Sequence, residues 1–207
     1  MKIAIIKLSA MGDIIHSMVA LQYIKKFDNT IQIDWIVEKA FKKVLEHNPH
    51  INKIHTINLK AIKKDKKELF KQIQCIRKIS KEKYDLVIDA QGLIKSAIVS
   101  KLLGKNIAGF DKKSIREGFA SFFYKTKVNI SYSNNAIERN TKVLSFPLNF
   151  EIKNEDILNK EAFLYFKNED KIIENYICND KKNIVFVVGA SWPSKMYSKD
   201  KFINLIK

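Results

Sequence analysis

A chain of 207 residues with 46% hydrophobic content can bury one good α/β core and begin a second, which excludes a disordered protein or a small disulfide-stapled one. Lysine and arginine number 38 against 22 acidic residues, a formal charge of +16 that invites an anionic partner: nucleic acid, an anionic lipid surface or a phosphorylated substrate. Most of the basic residues are lysines that suit solvated helix faces equally well, and neither a nucleic-acid-binding motif nor aromatic residues interleaved with basic ones accompany them.

Cys75 and Cys178 lie far apart with no CxxC or metal-ligand spacing, so a reducing compartment and no structural zinc are expected. Lys7 and Asp13 interrupt the apolar N-terminus, which argues against a secretion signal. No apolar run approaches the roughly 20 residues that span a bilayer. The expected location is cytoplasmic.

Apolar strand-like runs alternate with helical patterns along the chain, the signature of βαβ units and a mostly parallel sheet. The first strand is expected over 2–8. After the turn Ser9–Asp13, apolar residues recur at helical spacing from Ile14 to Phe27, and Asn29-Thr30 ends them. A second strand is read over 31–37, a short helix over 40–46 and a third strand over 54–59. Residues 60–83 read as one basic amphipathic helix, with Ile62, Leu69, Ile73, Ile76 and Ile79 as its apolar stripe.

A buried strand over 84–88 then runs through Asp89-Ala90-Gln91-Gly92 into a helix over 93–103. Residues 107–110 read as a further strand. Ser114-Ile115-Arg116-Glu117 has the spacing of a capping box and reads as a helix start, followed by the aromatic cluster Phe119, Phe122, Phe123 and Tyr124. A helix is expected over 135–146, stopped by Pro147. The polar stretch 149–160 marks a boundary between an N-terminal domain (1–160) and the start of a second (161–207). In that second part, 162–166 is a candidate strand, 169–178 a helix, 184–188 a strand, Gly189-Ala190-Ser191 its turn and 198–207 its helix.

Two strand-to-helix joints carry polar side chains. Open α/β sheets bind ligands outside the carboxyl ends of their strands, which makes Asp13 the first catalytic candidate. A helix N-cap is its structural alternative. His16 lies one helical turn on, on the same face, and either orients a substrate or merely packs. Ser9, Ala10, Met11 and Gly12 form a small-residue loop with free amides near the cleft. At the second joint the structural reading is that Gly92 permits a tight turn while Asp89 bonds neighbouring amides.

The order of these motifs resembles the heptosyltransferases of glycosyltransferase family nine. The resemblance is carried by Lys7-Leu8-Ser9-Ala10-Met11-Gly12-Asp13 with His16, by Tyr84-Asp85 and Ile88-Asp89-Ala90-Gln91-Gly92-Leu93-Ile94-Lys95-Ser96, by Gly109-Phe110-Asp111, Arg116-Glu117, Ala120-Ser121 and Phe123-Tyr124, and by Ile137-Glu138-Arg139. It implies a GT-B fold: a Rossmann-like acceptor domain with a parallel sheet, here with the beginning of a second Rossmann-like donor domain. It also implies inverting transfer of L-glycero-D-manno-heptose from ADP-heptose to Kdo of Kdo-lipid A, in the inner core of lipopolysaccharide. The two motifs around Asp13 and Asp89 favour the first heptose over the second. A related acceptor, or a basic binding module without catalysis, is the alternative.

Asp13 matches the family's catalytic aspartate. A helix N-terminus stabilises a carboxylate and weakens it as a base. A weak base suffices when proton transfer comes late, after the leaving group has largely departed. The resemblance places Ser9, Met11, Gly12, His16, Lys60, Lys63, Lys64, Arg116 and Arg139 on the acceptor side, where guanidinium forks suit the carboxylates of Kdo and the phosphates of lipid A. Ser191 and Lys195 match a segment that contacts the donor diphosphate, and Ala190 stands where the family usually has a second hydroxyl residue. No cofactor and no metal are implied beyond the donor substrate. A monomer at the inner face of the cytoplasmic membrane is expected, without nucleic acid.

Overall fold

The computed structural model describes residues 1–62, 65–167, 176–186, 189 and 196–206. Two compact units divide the chain, Met1–Phe166 and Lys167–Lys207. The first is built on six strands: β1 (Lys2–Ile6), β2 (Gln32–Glu38), β3 (Lys53–Ile57), β4 (Leu86–Asp89), β5 (Ile107–Phe110) and β6 (Thr126–Val128). They form one sheet in the order β3-β2-β1-β4-β5-β6, every neighbouring pair parallel. Strands covered on both faces need apolar residues at consecutive positions, and Ile3, Ala4, Ile5 and Ile6 are all buried, as are Leu86, Val87 and Ile88.

The helices of this unit are α1 (Met11–Phe27), α2 (Lys42–Leu45), α3 (Leu59–Ile62), α4 (Lys67–Ser80), α5 (Ile94–Leu103), α6 (Ala136–Ser145) and α7 (Asn154–Leu158). α1 packs against α6, and α4 against α5. Chain order along the sheet reverses between β1 and β4. Their carboxyl ends, side by side, form the crevice where doubly wound sheets receive ligands.

Several sequence expectations are corrected. The basic segment 60–83 is not one helix: α3 and α4 are separate, and Asp65 starts the second by accepting from the Lys67 amide at 2.8 Å. Residues 114–117 do not begin a helix. Ser114 instead donates its amide to Asp111 Oδ1 at 2.8 Å and accepts the Ile130 amide on Oγ at 2.9 Å, which bends the chain towards the 3-10 segment Gly118–Phe123. β6 was not anticipated.

The polar stretch 149–160 lies within the first unit. Phe150 stacks on Phe27 with ring centroids 4.6 Å apart, and Phe150 and Ile157 pack against the core. Gln22 of α1 holds the main chain of Glu161, accepting its amide at 3.0 Å. Residues 162–166 form no strand. In the second unit the described helix is α8 (Lys199–Ile206), whose Phe202 meets Phe186 and Tyr197 edge-on. Ile184–Phe186 has no strand structure, and Tyr176–Cys178 no α-helix; the rest of both expected elements lies outside the described residues. Both cysteines are free.

Candidate functional site

β1 ends at Ile6, and Lys7 follows with a side chain only 6% exposed. Its ammonium donates to the Ala90 carbonyl at 2.7 Å and to Asn140 Oδ1 at 3.2 Å, linking the ends of β1 and β4 to α6. Desolvation pulls its pKa down to about 8 despite the opposing charges of Asp13 and Asp89, and the Arg139 charge adds to the fall. A buried cation below a crevice is a costly arrangement in search of a purpose.

Asp13 lies at the third position of α1, and Ala10 is the cap residue. Asp13 is therefore not the N-cap that local reading offered. Its Oδ2 reaches back to accept the Ala10 amide at 3.3 Å, which restrains the carboxylate and leaves the side chain half-buried at the cleft wall.

Gln91 secures the loop that carries this carboxylate. Its Oε1 accepts from the amides of both Leu8 and Ser9 at 3.0 Å. Gln91 and Gly92 donate their own amides to Asp89 Oδ1 at 2.9 and 3.1 Å, and Tyr124 donates to Asp89 Oδ2 at 2.8 Å. Burial pushes the Asp89 carboxyl up, and these donors oppose it. Asp89 thus braces the turn, as the structural reading had it, and Gly92 adopts φ of +68° there.

Lys7, Asp13, Gln91, Arg116, Tyr132, Arg139 and Asn140 come together around a cleft of about 300 Å³, with Ala90, Gly92 and Phe110 also in its lining. Its two guanidinium groups differ. Arg139 is committed to the protein: Nη2 donates to the Ser114 carbonyl at 2.6 Å, Nη1 to the Tyr132 carbonyl at 3.2 Å, and the guanidinium stacks 4.3 Å over the Tyr132 ring. Arg116 is exposed and makes no hydrogen bond or ion pair with the rest of the described chain, so its whole fork is open to an anion. One carboxylate among three cations can hold an anionic molecule and accept a proton from it.

Other residues expected at the site fall differently. Ser9 is half-buried and contributes its amide to the Gln91 clamp, while Met11 and Gly12 are exposed at the start of α1. His16 is half-buried one turn along α1, with Nδ1 enclosed and unpartnered, and does not line this cleft. Lys60 is exposed at the start of α3 and sits 5.3 Å from the Phe41 ring. It neighbours the buried Glu38 at the end of β2, whose carboxyl is pushed up by burial against the amides of Leu59 and Lys60 and the charges of Lys95 and Lys60. Lys63, Lys64, Ser191 and Lys195 lie outside the described residues.

Sequence reasoning missed the site roles of Lys7 and Asn140. A lysine closing an otherwise apolar strand, just before the polar joint, was the available signal. Among the described residues no three His, Cys, Asp or Glu side chains gather into a metal-ligating group, and no helix is long and apolar enough to cross a membrane.

Comparison with known proteins places this arrangement in a family. The chain is 42% identical over its whole length to lipopolysaccharide heptosyltransferase 1 of Campylobacter coli, covering 60% of that protein. It is 31% identical to the protein of that name from Pseudomonas aeruginosa, over 73% of this chain and 44% of the relative. The solved structure described as E. coli heptosyltransferase WaaC with ADP superposes with a TM-score of 0.67 at 29% identity, covering 74% of this chain and 49% of that one. A second E. coli WaaC structure, with ADP-2-deoxy-2-fluoro heptose, shares the fold over the entire chain with a TM-score of 0.80 and covers 64% of that protein. The chain thus spans about half to two thirds of the length of these relatives. The pattern of the family described as glycosyltransferase family 9 (heptosyltransferase) matches residues 72–207, and with the relatives above this shows that the chain belongs to that family.

Proposed function

We propose that this chain supplies the acceptor side of an inverting heptosyltransferase, one that moves L-glycero-D-manno-heptose from ADP-heptose to Kdo of Kdo-lipid A in the lipopolysaccharide inner core. One observation carries the reading: a restrained carboxylate, Asp13, opens onto a cleft lined by Lys7, Arg116 and Arg139. An acceptor bearing carboxylates and phosphates fits such a cleft, and its hydroxyl needs a base. The relatives, lipopolysaccharide heptosyltransferase 1 and E. coli WaaC with ADP, support this donor and product class.

In the proposed reaction the acceptor hydroxyl oxygen attacks the anomeric carbon from the face opposite the diphosphate. The new C–O bond forms as the bond to the phosphate oxygen breaks, and ADP leaves with the electron pair. The hydroxyl proton passes to Asp13. Arg116 holds the acceptor anion, Lys7 supports the local charge from below, and Gln91 keeps the Asp13 loop in place. Ser191 and Lys195 are assigned to the donor diphosphate by their match to the family pattern, and the enzyme works as a cytoplasmic peripheral protein of the inner membrane.

The test uses the full-length protein with ADP-heptose and Kdo-lipid A. Asp13→Ala is expected to lower transfer about 10²- to 10⁴-fold while acceptor binding stays within a few-fold of the parent. Undiminished transfer overturns the base assignment. Parent protein that transfers to another acceptor and not to Kdo-lipid A overturns the substrate.

A further inference from the structure

The 3-10 segment Gly118–Phe123 leaves an apolar surface that the first unit does not cover. Phe119 and Phe122 are 74% and 68% exposed, with ring centroids 6.0 Å apart. α5 packs against this segment and turns Ile94 and Ile98 outward, four residues apart on one helix face. The two elements are joined at their starts, where Glu117 accepts the Ile94 amide at 2.8 Å. Four large apolar side chains left in water on neighbouring elements mark an interaction surface.

The segment that carries them is one-sided in charge. Between Leu93 and Val128 the chain carries eight basic and two acidic residues, and all eight basic side chains are exposed. Both acids are engaged internally: Glu117 on the start of α5, and Asp111 on the Ser114 amide and the Asn129 side chain. Seven of the eight cations are lysines, which protein–protein interfaces avoid and anionic headgroups attract. Aromatic rings amid lysines match the headgroup–acyl boundary of a bilayer, where rings insert and ammonium groups reach phosphate.

We propose that the face formed by Phe119, Phe122, Ile94 and Ile98, on a segment whose lysines are all exposed, docks the protein onto an anionic phospholipid bilayer. Arg116, on the cleft wall, is next to Glu117 and three residues from Phe119, so docking sets the mouth of the Asp13 cleft at the membrane surface. That position presents the cleft to the sugar of an acceptor anchored in the same bilayer. The docking names the face for the peripheral membrane reading proposed above and rests on it, and this last step rests also on the lipid-linked acceptor.

The experiment is flotation of the full-length protein with vesicles of phosphatidylglycerol and phosphatidylethanolamine, and separately of phosphatidylcholine alone. The parent is expected to float with the anionic vesicles and to release as salt rises. The double substitution Phe119→Ser with Phe122→Ser is expected to lower the bound fraction about tenfold or more, with an unchanged melting temperature because both rings are exposed. Its transfer to a water-soluble, delipidated Kdo acceptor should equal that of the parent. A parent that ignores anionic vesicles, or a double variant that binds them equally well, overturns the proposal. So does a parent dimer that the substitution makes monomeric, which assigns the face to a second copy, or a variant that melts early, which assigns it to the rest of the full-length chain. Failure of the parent to act on the soluble acceptor while still floating counts against the proposed function alone.

Discussion

Replacing Lys7 by methionine sets two opposing quantities against each other. The native ammonium is 6% exposed and its pKa falls from 10.5 to about 8, with desolvation the leading cause. A fall of that size corresponds to about 3 kcal/mol by which folding disfavours the charged form. Methionine has nearly the same length and carries no charge, so it removes this penalty. It also leaves the Ala90 carbonyl and Asn140 Oδ1 without their donor, at a cost of about 1–3 kcal/mol. The expected net is a gain of about 1 kcal/mol at pH 7, or roughly 2–4 °C in melting temperature for a domain of this size.

The sign reverses with pH. Because the folded pKa lies below the unfolded one, the penalty is fully present below about 8 and is relieved as pH rises from there to 10.5. The native protein therefore gains on the variant across that window, by about 2 kcal/mol between pH 8 and 9.5. Urea denaturation of both proteins at pH 7, 8 and 9.5 measures this directly. Stability curves that run parallel across the three pH values refute the reasoning, whichever protein is the more stable. A stabilised Lys7→Met that has also lost transfer shows that the ammonium is retained for chemistry rather than for folding.

Tyr124→Phe removes the hydroxyl that Asp89 Oδ2 accepts at 2.8 Å in a fully buried setting, and about 1–3 kcal/mol of stability should go with it in urea denaturation. Gly92→Ala meets two obstacles at once, φ of +68° and a Cβ only 2.6 Å from Ile115 Cγ2, so a loss of at least about 1 kcal/mol and a drop in transfer are expected together. Arg116→Gln breaks no hydrogen bond or ion pair among the described residues. Its melting temperature should match the parent's, while the affinity for an anionic acceptor, measured by calorimetry, falls about tenfold.

How much of this was legible in the sequence differs by element. The buried parallel strands read clearly because both faces demand apolar residues, and 107–110 agrees with β5 to the residue. β6 escaped because it has three residues and carries Lys127 at its centre. The helix expected at 114–117 rested on a capping-box spacing, but Asp111 three residues upstream captures the Ser114 amide first and makes a turn. The polar stretch 149–160 reads as a boundary because it is rich in Asn, Glu and Lys. Phe150 and Ile157 nonetheless fasten it to the core, since a few buried side chains outweigh many solvated ones.

The candidate site was legible where a polar side chain sits on a strand-to-helix joint and faces the cleft, as Asp13 does. It was not legible where a role depends on a partner distant in sequence. Lys7 becomes a buried donor because Ala90 and Asn140 stand opposite, and Arg139 is anchored by Ser114 and Tyr132 while Arg116 stays free. Neither distinction is local.

The Gln91 clamp has a consequence for how the protein is made. Leu8 and Ser9 wait for an acceptor 83 and 82 residues downstream, and Lys7 for one 133 residues downstream. At a synthesis rate of about 5–20 residues per second, the loop bearing Asp13 leaves the ribosome roughly 4 to 17 seconds before Gln91. During that interval the nascent chain carries the Asp13 carboxylate without the groups that hold its loop, and the cleft is complete only when α6 supplies Arg139 and Asn140. A chain stopped before α6 therefore holds all six strands of the sheet but lacks Arg139 and Asn140 on the cleft wall.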